Sequence, residues 1–373
     1  MSSVALAVAV GGALATFAGA ALGAAPTPAD VSRAVAMVFA GDPGAAGGDV
    51  NADSRAGAAD VAGVMLGLRS PTQPGPYGVG LRRITFRKRS ETMPDQERVL
   101  LTDIWYPAAP GAGPIDRRPG GQSNAPLAEG LSNLPLVLFS HGSCGFQEQS
   151  IFFTSVLASY GFVVAAPPHP GNSTAEILTC STPEAVADSF INRPADIIFV
   201  IDSLLALNTD PTSFFFGTID PSRIGVSGHS FGGLTTLRVS AMDPRVSAGL
   251  ALAPVARSIQ DEVAQIAVPI MIQVGTLDGL LADARLAYDL LKAPRYRLEI
   301  RRTTHSPFSD FCLECGPNTT TTEQAHLYSL RYSIPYLLHY VAGDERFDSF
   351  LAPHAAPPGV VLTADVAAEE LSH

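Results

Sequence analysis

Ile224-Gly225-Val226-Ser227-Gly228-His229-Ser230-Phe231-Gly232-Gly233 decides how the rest of the chain is read. A short buried strand runs straight into Gly-x-Ser-x-Gly, and a helical pattern follows over residues 234–242. A serine at such a strand-to-helix turn sits on a sharp bend with its hydroxyl exposed. The glycines on either side let the two elements approach closely. The amino end of the helix favours negative charge developing beside it. The motif alone also occurs as an ordinary glycine-rich turn. The strand before it and the helix after it make Ser230 a candidate nucleophile.

Outward from this stretch the pattern alternates. Strands are expected at 134–140, 162–166, 223–227, 246–253, 268–275 and 296–302, and helices at 147–160, 194–207, 280–292 and 323–341. Two alternating strands, 81–89 and 98–106, precede them, and a Pro/Gly-rich surface loop is expected at 108–133. Strands alternating with helices imply right-handed crossovers. The fold class is therefore α/β, a mostly parallel sheet covered by helices on both faces.

A nucleophilic serine needs a base, and the base needs an orienting acid. Asp278 follows the apolar strand that ends at Gly275, and His305 follows the next one. Both fall at the C-terminal ends of strands, where ligands collect in open α/β sheets. Their bland alternatives are a cap on the helix from 280 and a loop histidine. The chain order Ser230, Asp278, His305 favours a catalytic set. Ser140-His141-Gly142-Ser143-Cys144-Gly145 occupies the place of an oxyanion loop. The backbone N–H of Ser143 or Cys144 is expected to act with that of Phe231. His169, in Pro167-Pro168-His169-Pro170-Gly171, and His229 are expected in the substrate pocket. Between Ser230 and Asp278 there is no lid-sized insertion, which favours accessible, short-chain esters.

The chain of 373 residues carries a net charge of -11 and no basic run, which argues against nucleic acid as a partner. Residues 1–25 hold an uncharged apolar run that reads as an export signal, with a membrane anchor as the alternative. Secretion or a cell-surface location follows. The four cysteines, Cys144, Cys180, Cys312 and Cys315, fit disulfides in an exported protein. Three pairings are open, and a Cys144–Cys180 bridge would stiffen the pocket rim. A single Cys312-x-x-Cys315 pair argues for a structural bridge rather than zinc.

Residues 26–70 form a separate helical unit, 71–77 a Pro/Gly linker, and 78–373 the main domain. In the small unit Asp49, Asn51, Asp53 and Asp60 take the first, third, fifth and twelfth places of a 12-residue loop, with the Arg55 carbonyl at the seventh. That spacing converges oxygens on a calcium ion. The loop resembles an EF-hand, and in particular the calcium loops of dockerin modules. It departs from the EF-hand at the sixth place, where Ser54 replaces glycine. The resemblance implies structural Ca2+ and a protein partner for this unit.

Over residues 78–341 a second resemblance is carried by Trp105-Tyr106-Pro107, Ser140-His141-Gly142, Gly228-His229-Ser230-Phe231-Gly232-Gly233 and His305-Ser306-Pro307-Phe308-Ser309-Asp310-Phe311. These segments resemble the plasma-type platelet-activating factor acetylhydrolase branch of α/β-hydrolases, and bacterial predicted dienelactone hydrolases. True dienelactone hydrolases use a cysteine nucleophile, where this chain has Ser230. The resemblance implies an α/β-hydrolase fold and hydrolysis of small-molecule or polymer esters through an acyl-enzyme, with no catalytic cofactor. Cutinase-like polyester hydrolysis and phospholipid acetyl-ester hydrolysis are the close alternatives. A peptidase on the same fold and an inert surface-attached scaffold are the distant ones.

Overall fold

The computed structural model describes residues 70–109, 111 and 118–366. The apolar run of residues 1–25 and the loop with Asp49, Asn51, Asp53, Arg55 and Asp60 lie outside the described residues.

Strands β1 (Gly78–Arg89) and β2 (Glu97–Ala108) pair antiparallel. From Arg82 onward β1 alternates between partly buried and exposed positions, as a strand with one covered face does. A short β3 (Gln122–Ser123) edges β1 within the expected surface loop. Then β4 (Leu134–Ser140), β5 (Val163–Ala166), β6 (Ile219–His229), β7 (Val246–Leu252), β8 (Ile270–Gly275) and β9 (Arg295–Ile300) form a parallel block. Every residue of β4, β5 and β8 is buried, because helices cover both faces. A last strand, β10 (Val360–Asp365), adds antiparallel to β9. The sheet order is β10-β9-β8-β7-β6-β4-β5-β2-β1-β3, a mostly parallel α/β sheet.

The helices are α1 (Ile151–Ser159), α2 (Pro183–Thr209), α3 (Phe231–Met242), α4 (Gln260–Gln265), α5 (Leu281–Leu290) and α6 (Thr322–Leu337). On one side Ile197, Val200, Ile201 and Leu204 of α2 pack on Leu136, Leu138, Val163 and Val226. Nearer the other edge Leu234, Leu237, Val263, Ala284 and Ala287 pack with Ile270, Ile272 and Val274. Each fully buried Leu, Ile or Val contributes about 1.5–3 kcal/mol. Among the described residues no helix is long and apolar enough to cross a membrane.

Two helices begin where their sequence does not announce it. The expected start of α2 at Pro194 is its interior, and the helix starts at Pro183 behind an N-cap, Thr182, whose Oγ1 accepts the Ala185 N–H at 3.3 Å. Proline inside a helix leaves the carbonyl four residues back without its N–H partner. Here that carbonyl is Phe190 O, and the Arg238 guanidinium takes it. Helix α1 starts at Ile151, four residues later than expected, because its amino end is capped from a distance. Asp310 accepts the N–H of Ile151 at 2.8 Å and of Phe152 at 3.0 Å. Residues 71–77 lie along the body, with the Gly75 N–H donating to Ser159 Oγ at 2.7 Å.

Helix α3 lies against the end of β4 so closely that residue 232 has no room for a side chain. A Cβ on Gly232 would stand 1.8 Å from the carbonyl oxygen of Ser140. No side chain fits there, so the first turn of α3 depends on glycine at this position. Gly232→Ala is therefore expected to cost about 3 kcal/mol or more, the upper range for overpacking. Denaturant unfolding of the two proteins measures it.

Candidate active site

Strand β6 ends at the bend predicted from its sequence. Ser230 has φ 59° and ψ -116°, the left-handed side of backbone space, at a cost of about 1–3 kcal/mol. Two hydrogen bonds hold the bend: Ser230 N–H to Leu252 O at 2.8 Å, and Leu234 N–H to Ser230 O at 3.1 Å. The first holds the elbow to the end of β7, and the second starts α3.

Asp278 and His305 come together because the loops after β8 and β9 are laced to each other. The N–H groups of Thr276 and Leu277 both donate at 2.9 Å, to Ile300 O and Thr303 O. Gly275 permits this, since a Cβ there would meet Thr303 O at 2.0 Å. Asp278 Oδ2 then accepts from His305 Nδ1 at 2.9 Å. Its other oxygen accepts the Leu280 N–H at 2.8 Å in the turn before α5, whose N-cap is Leu280 with no side-chain cap, so Asp278 is not the helix cap that was its bland alternative. A proton on Nδ1 leaves Nε2 as the accepting nitrogen, the tautomer a general base needs. The Asp278 carboxylate is buried and the His305 ring partly exposed.

The His305 loop is fastened on two further sides. Glu314 accepts from Ser306 through its N–H at 3.1 Å and its Oγ at 2.7 Å. Asp310 caps α1, as described above, and burial pushes its carboxyl up to about 6 against the pull of those N–H groups. The segment 305–311 is thus a histidine carrier with its anchor five residues on.

His229 packs under His305, with ring centroids 4.6 Å apart. Gln149 Oε1 accepts the Gly142 N–H at 2.8 Å, so its amide nitrogen faces His229 Nδ1 at 3.0 Å. Nδ1 accepts that bond. Nε2 therefore carries the proton and donates to His305 O at 3.1 Å. His229 was expected in the pocket; it is buried and packs beneath His305. Burial, then repulsion from His305, pushes it down to about 3.

The expected oxyanion loop lies over a buried polar network. His141 Nδ1 donates to Gly142 O at 2.7 Å, and its Nε2 accepts the His169 N–H at 3.2 Å. His169 Nε2 accepts from Ser140 Oγ at 2.9 Å, and Nδ1 donates to Asp196 at 3.0 Å. Asp196 is gripped by Arg98 through contacts of 2.9 and 2.6 Å. Burial holds His141 and His169 well below the usual histidine range, so both are neutral. His169 is a correction: expected on the pocket wall, it has no exposed surface. Its sequence position, after a strand, is that of a pocket residue, but Asp196 and Ser140 draw it inward. Cys144 is another: its N–H donates to Asn172 O at 3.2 Å, which leaves Ser143 of the two expected donors.

Gln149 and Arg193 are the supporting residues that the sequence did not flag. Arg193 falls just before the helix expected at 194–207, so no sequence signal marked it, although it is wholly buried. Two disulfides frame the face: Cys144–Cys180, and Cys312–Cys315. The first holds the loop with Ser143 and Cys144 to the segment before α2. Among the described residues no three His, Cys, Asp or Glu side chains gather as a metal site.

A family model described as PET hydrolase-like matches residues 137–362, well over half of the chain. A bis(hydroxyethyl) terephthalate hydrolase from Streptomyces coelicolor is 27% identical, covering 64% of this chain and 67% of its own length. Cutinase est2 from Thermobifida alba is 28% identical over 62% of this chain and 66% of its own. A platelet-activating factor acetylhydrolase from Cavia porcellus is 24% identical over 61% and 62%. The chain thus spans about two thirds of the length of these curated relatives. A ferulic acid esterase structure from Streptomyces cinnamoneus superposes with TM-score 0.61 at 20% identity, covering 78% of this chain and 98% of that one. It shares the α/β-hydrolase fold.

The burial of neutral His229 has a consequence for stability. Unfolded histidine takes a proton near pH 6.5, whereas folded His229 does so only near 3. Between those values the unfolded state binds the extra proton, so stability falls as pH falls. His229→Gln keeps an N–H donor for His305 O and removes the titration. Its unfolding free energy should lose roughly 2 kcal/mol less than the wild type's between pH 7.5 and 5. Parallel pH series of chemical denaturation check the difference; identical slopes would contradict it.

Proposed function

The chain belongs to the PET hydrolase-like family and is a carboxylic ester hydrolase; we propose that it works as a serine esterase through Ser230, His305 and Asp278. The observation that carries this reading is the 2.9 Å Asp278–His305 contact, made on the same sheet edge as the bend at Ser230. Ser230 Oγ attacks the ester carbonyl carbon while His305 Nε2 takes its proton. Asp278 holds the imidazolium that forms. The carbonyl electrons move to oxygen, where the N–H groups of Phe231 and Ser143 receive the charge. When the intermediate collapses, His305 protonates the departing alcohol. Water repeats the sequence on the acyl-enzyme and releases the acid. Every proton moves among Ser230, His305, water and substrate, so these steps call for no cofactor.

Accessible esters fit best. Between Ser230 and Asp278 the chain forms α3, β7, α4 and β8, with no added lid element. Polyester is the second reading, favoured by apolar side chains in the loops at this sheet edge. Leu178 is 93% exposed and Leu313 88%, with Ile177, Leu277 and Phe311 also exposed. Such side chains suit contact with an insoluble apolar surface. Export supports the same reading. The apolar start of the sequence fits a signal, and the two disulfides fit an oxidising compartment.

The full chain should hydrolyse p-nitrophenyl butyrate and react with a fluorophosphonate probe at Ser230. Ser230→Ala should lose both, with kcat down roughly 10⁴-fold or more, and Asp278→Asn should lose about 10³–10⁴. Undiminished turnover by Ser230→Ala would refute the assignment. For the polyester reading, Leu178→Asn with Leu313→Asn should slow product release from a polyester film several-fold and leave the soluble ester unaffected.

A further inference from the structure

Arg193 has no place in the chemistry just described, yet it is wholly buried directly behind it. Its Nη1 donates to His141 O at 2.7 Å, and its Nη2 to Gly142 O at 2.9 Å and Asn172 O at 3.4 Å. Its guanidinium carbon lies 4.6 Å from the centre of the Phe231 ring. Asp196, one turn further along α2, is turned to Arg98 and His169 instead. Burial pushes Arg193 down to about 9, which leaves it protonated at neutral pH.

In a trans peptide the C=O and the following N–H point in opposite directions. The guanidinium grips Gly142 C=O from below, beside the His141 Nδ1 and Gly145 N–H donors to the same oxygen, so the Ser143 N–H of that peptide is aimed away from α2. A positive charge on the carbonyl side also draws electron density from the amide and makes its N–H a stronger donor. On the other donor, the same guanidinium braces the ring of Phe231. We propose that Arg193 is a positioning residue for the oxyanion hole, aiming and polarising the Ser143 N–H and fixing it relative to the N–H of Phe231. A lysine could not do this. Its ammonium is a compact point charge on a flexible stem, without the rigid planar fork that meets His141 O and Gly142 O from two separate nitrogens. The proposal rests on the serine-esterase reading, with Ser143 and Phe231 as the oxyanion donors.

The test uses the full chain and Arg193→Lys, with a p-nitrophenyl ester and its thiono counterpart, in which sulfur replaces the carbonyl oxygen. An aimed oxyanion hole discriminates strongly against the larger sulfur. Arg193→Lys should lower kcat on the oxygen ester roughly 10- to 100-fold, move KM less than threefold, and shrink the oxygen-to-thiono rate ratio by a similar factor. Unchanged kcat overturns the proposal. So does an equal fall on both esters, since general damage would slow them alike.

A second measurement needs no variant. Gly142-Ser143 is the only Gly-Ser step in the chain. Labelling glycine with carbonyl ¹³C and serine with ¹⁵N therefore isolates one cross-peak in an HNCO spectrum. Its carbonyl carbon should lie downfield of ordinary glycine, and its amide proton should move further downfield when an alkyl boronic acid occupies Ser230. If Arg193→Lys does not fold, this spectrum decides: an ordinary carbonyl shift, or a proton that stays put, overturns the proposal. Failure of the underlying esterase reading looks different, since the wild type would then neither turn over ester nor react with fluorophosphonate.

Discussion

The C-terminal edge of the sheet depends on how closely the first turn of α3 lies against Ser140. The gap admits no Cβ at Gly232. That approach forces the chain to turn sharply at Ser230, and the bond from its N–H to Leu252 O at 2.8 Å holds the turn. It also puts the two proposed oxyanion segments side by side, since Ser140 leads into the loop with Ser143 and Gly232 follows Phe231. A strained serine and a paired set of donors are two results of one packing constraint. The strain is offset by the burial of α3 between the sheet and its neighbours, where Leu234 and Leu237 have almost no exposed surface.

Around this edge the protein uses buried polar groups in a consistent way. Few of them face the reacting atoms. His229 packs against the proposed base, His305, and Gln149 links His229 to the proposed oxyanion loop. His141 and Arg193 converge on the same carbonyl, Gly142 O, and Asp310 fastens the histidine loop to α1. Such networks are costly where members go unpaired, and Arg193 Nε and Asn172 Oδ1 have no partner here, whereas the tautomers of His141, His169 and His229 follow from theirs. The reward is rigidity in loops that would otherwise be mobile. The Cys144–Cys180 bridge adds a covalent tie at the same place.

Much of this was legible in the chain. Strands β4 and β7 were readable almost to the residue, because a parallel strand buried on both faces appears as an unbroken apolar run. Ser230, Asp278 and His305 were legible for a related reason: each follows such a run, and the order of runs sets the order of residues along one sheet edge. Helix α2 misled, because Pro194 reads as a first-turn proline until Arg238 is seen to occupy Phe190 O. His169 misled because a histidine after a strand reads the same whether its loop turns outward or inward. Strand β10 was not foreseen: it is as long as β9, but its place comes from antiparallel pairing at the sheet edge, which local sequence does not show.

The sequence by itself determined the α/β alternation, the nucleophile turn and the order of its candidate partners. These are local in origin, since periodicity, turn chemistry and spacing are written in consecutive residues. Tertiary structure alone decided which N–H groups stay available near Ser230, which histidines are buried and neutral, and what an arginine inside a helix is for. Those answers come from contacts between residues far apart in the chain: Arg193 with Gly142, Asp310 with Ile151, His229 with His305. A hydrogen bond depends on where its partner stands in space, and residue type and local spacing do not carry that information.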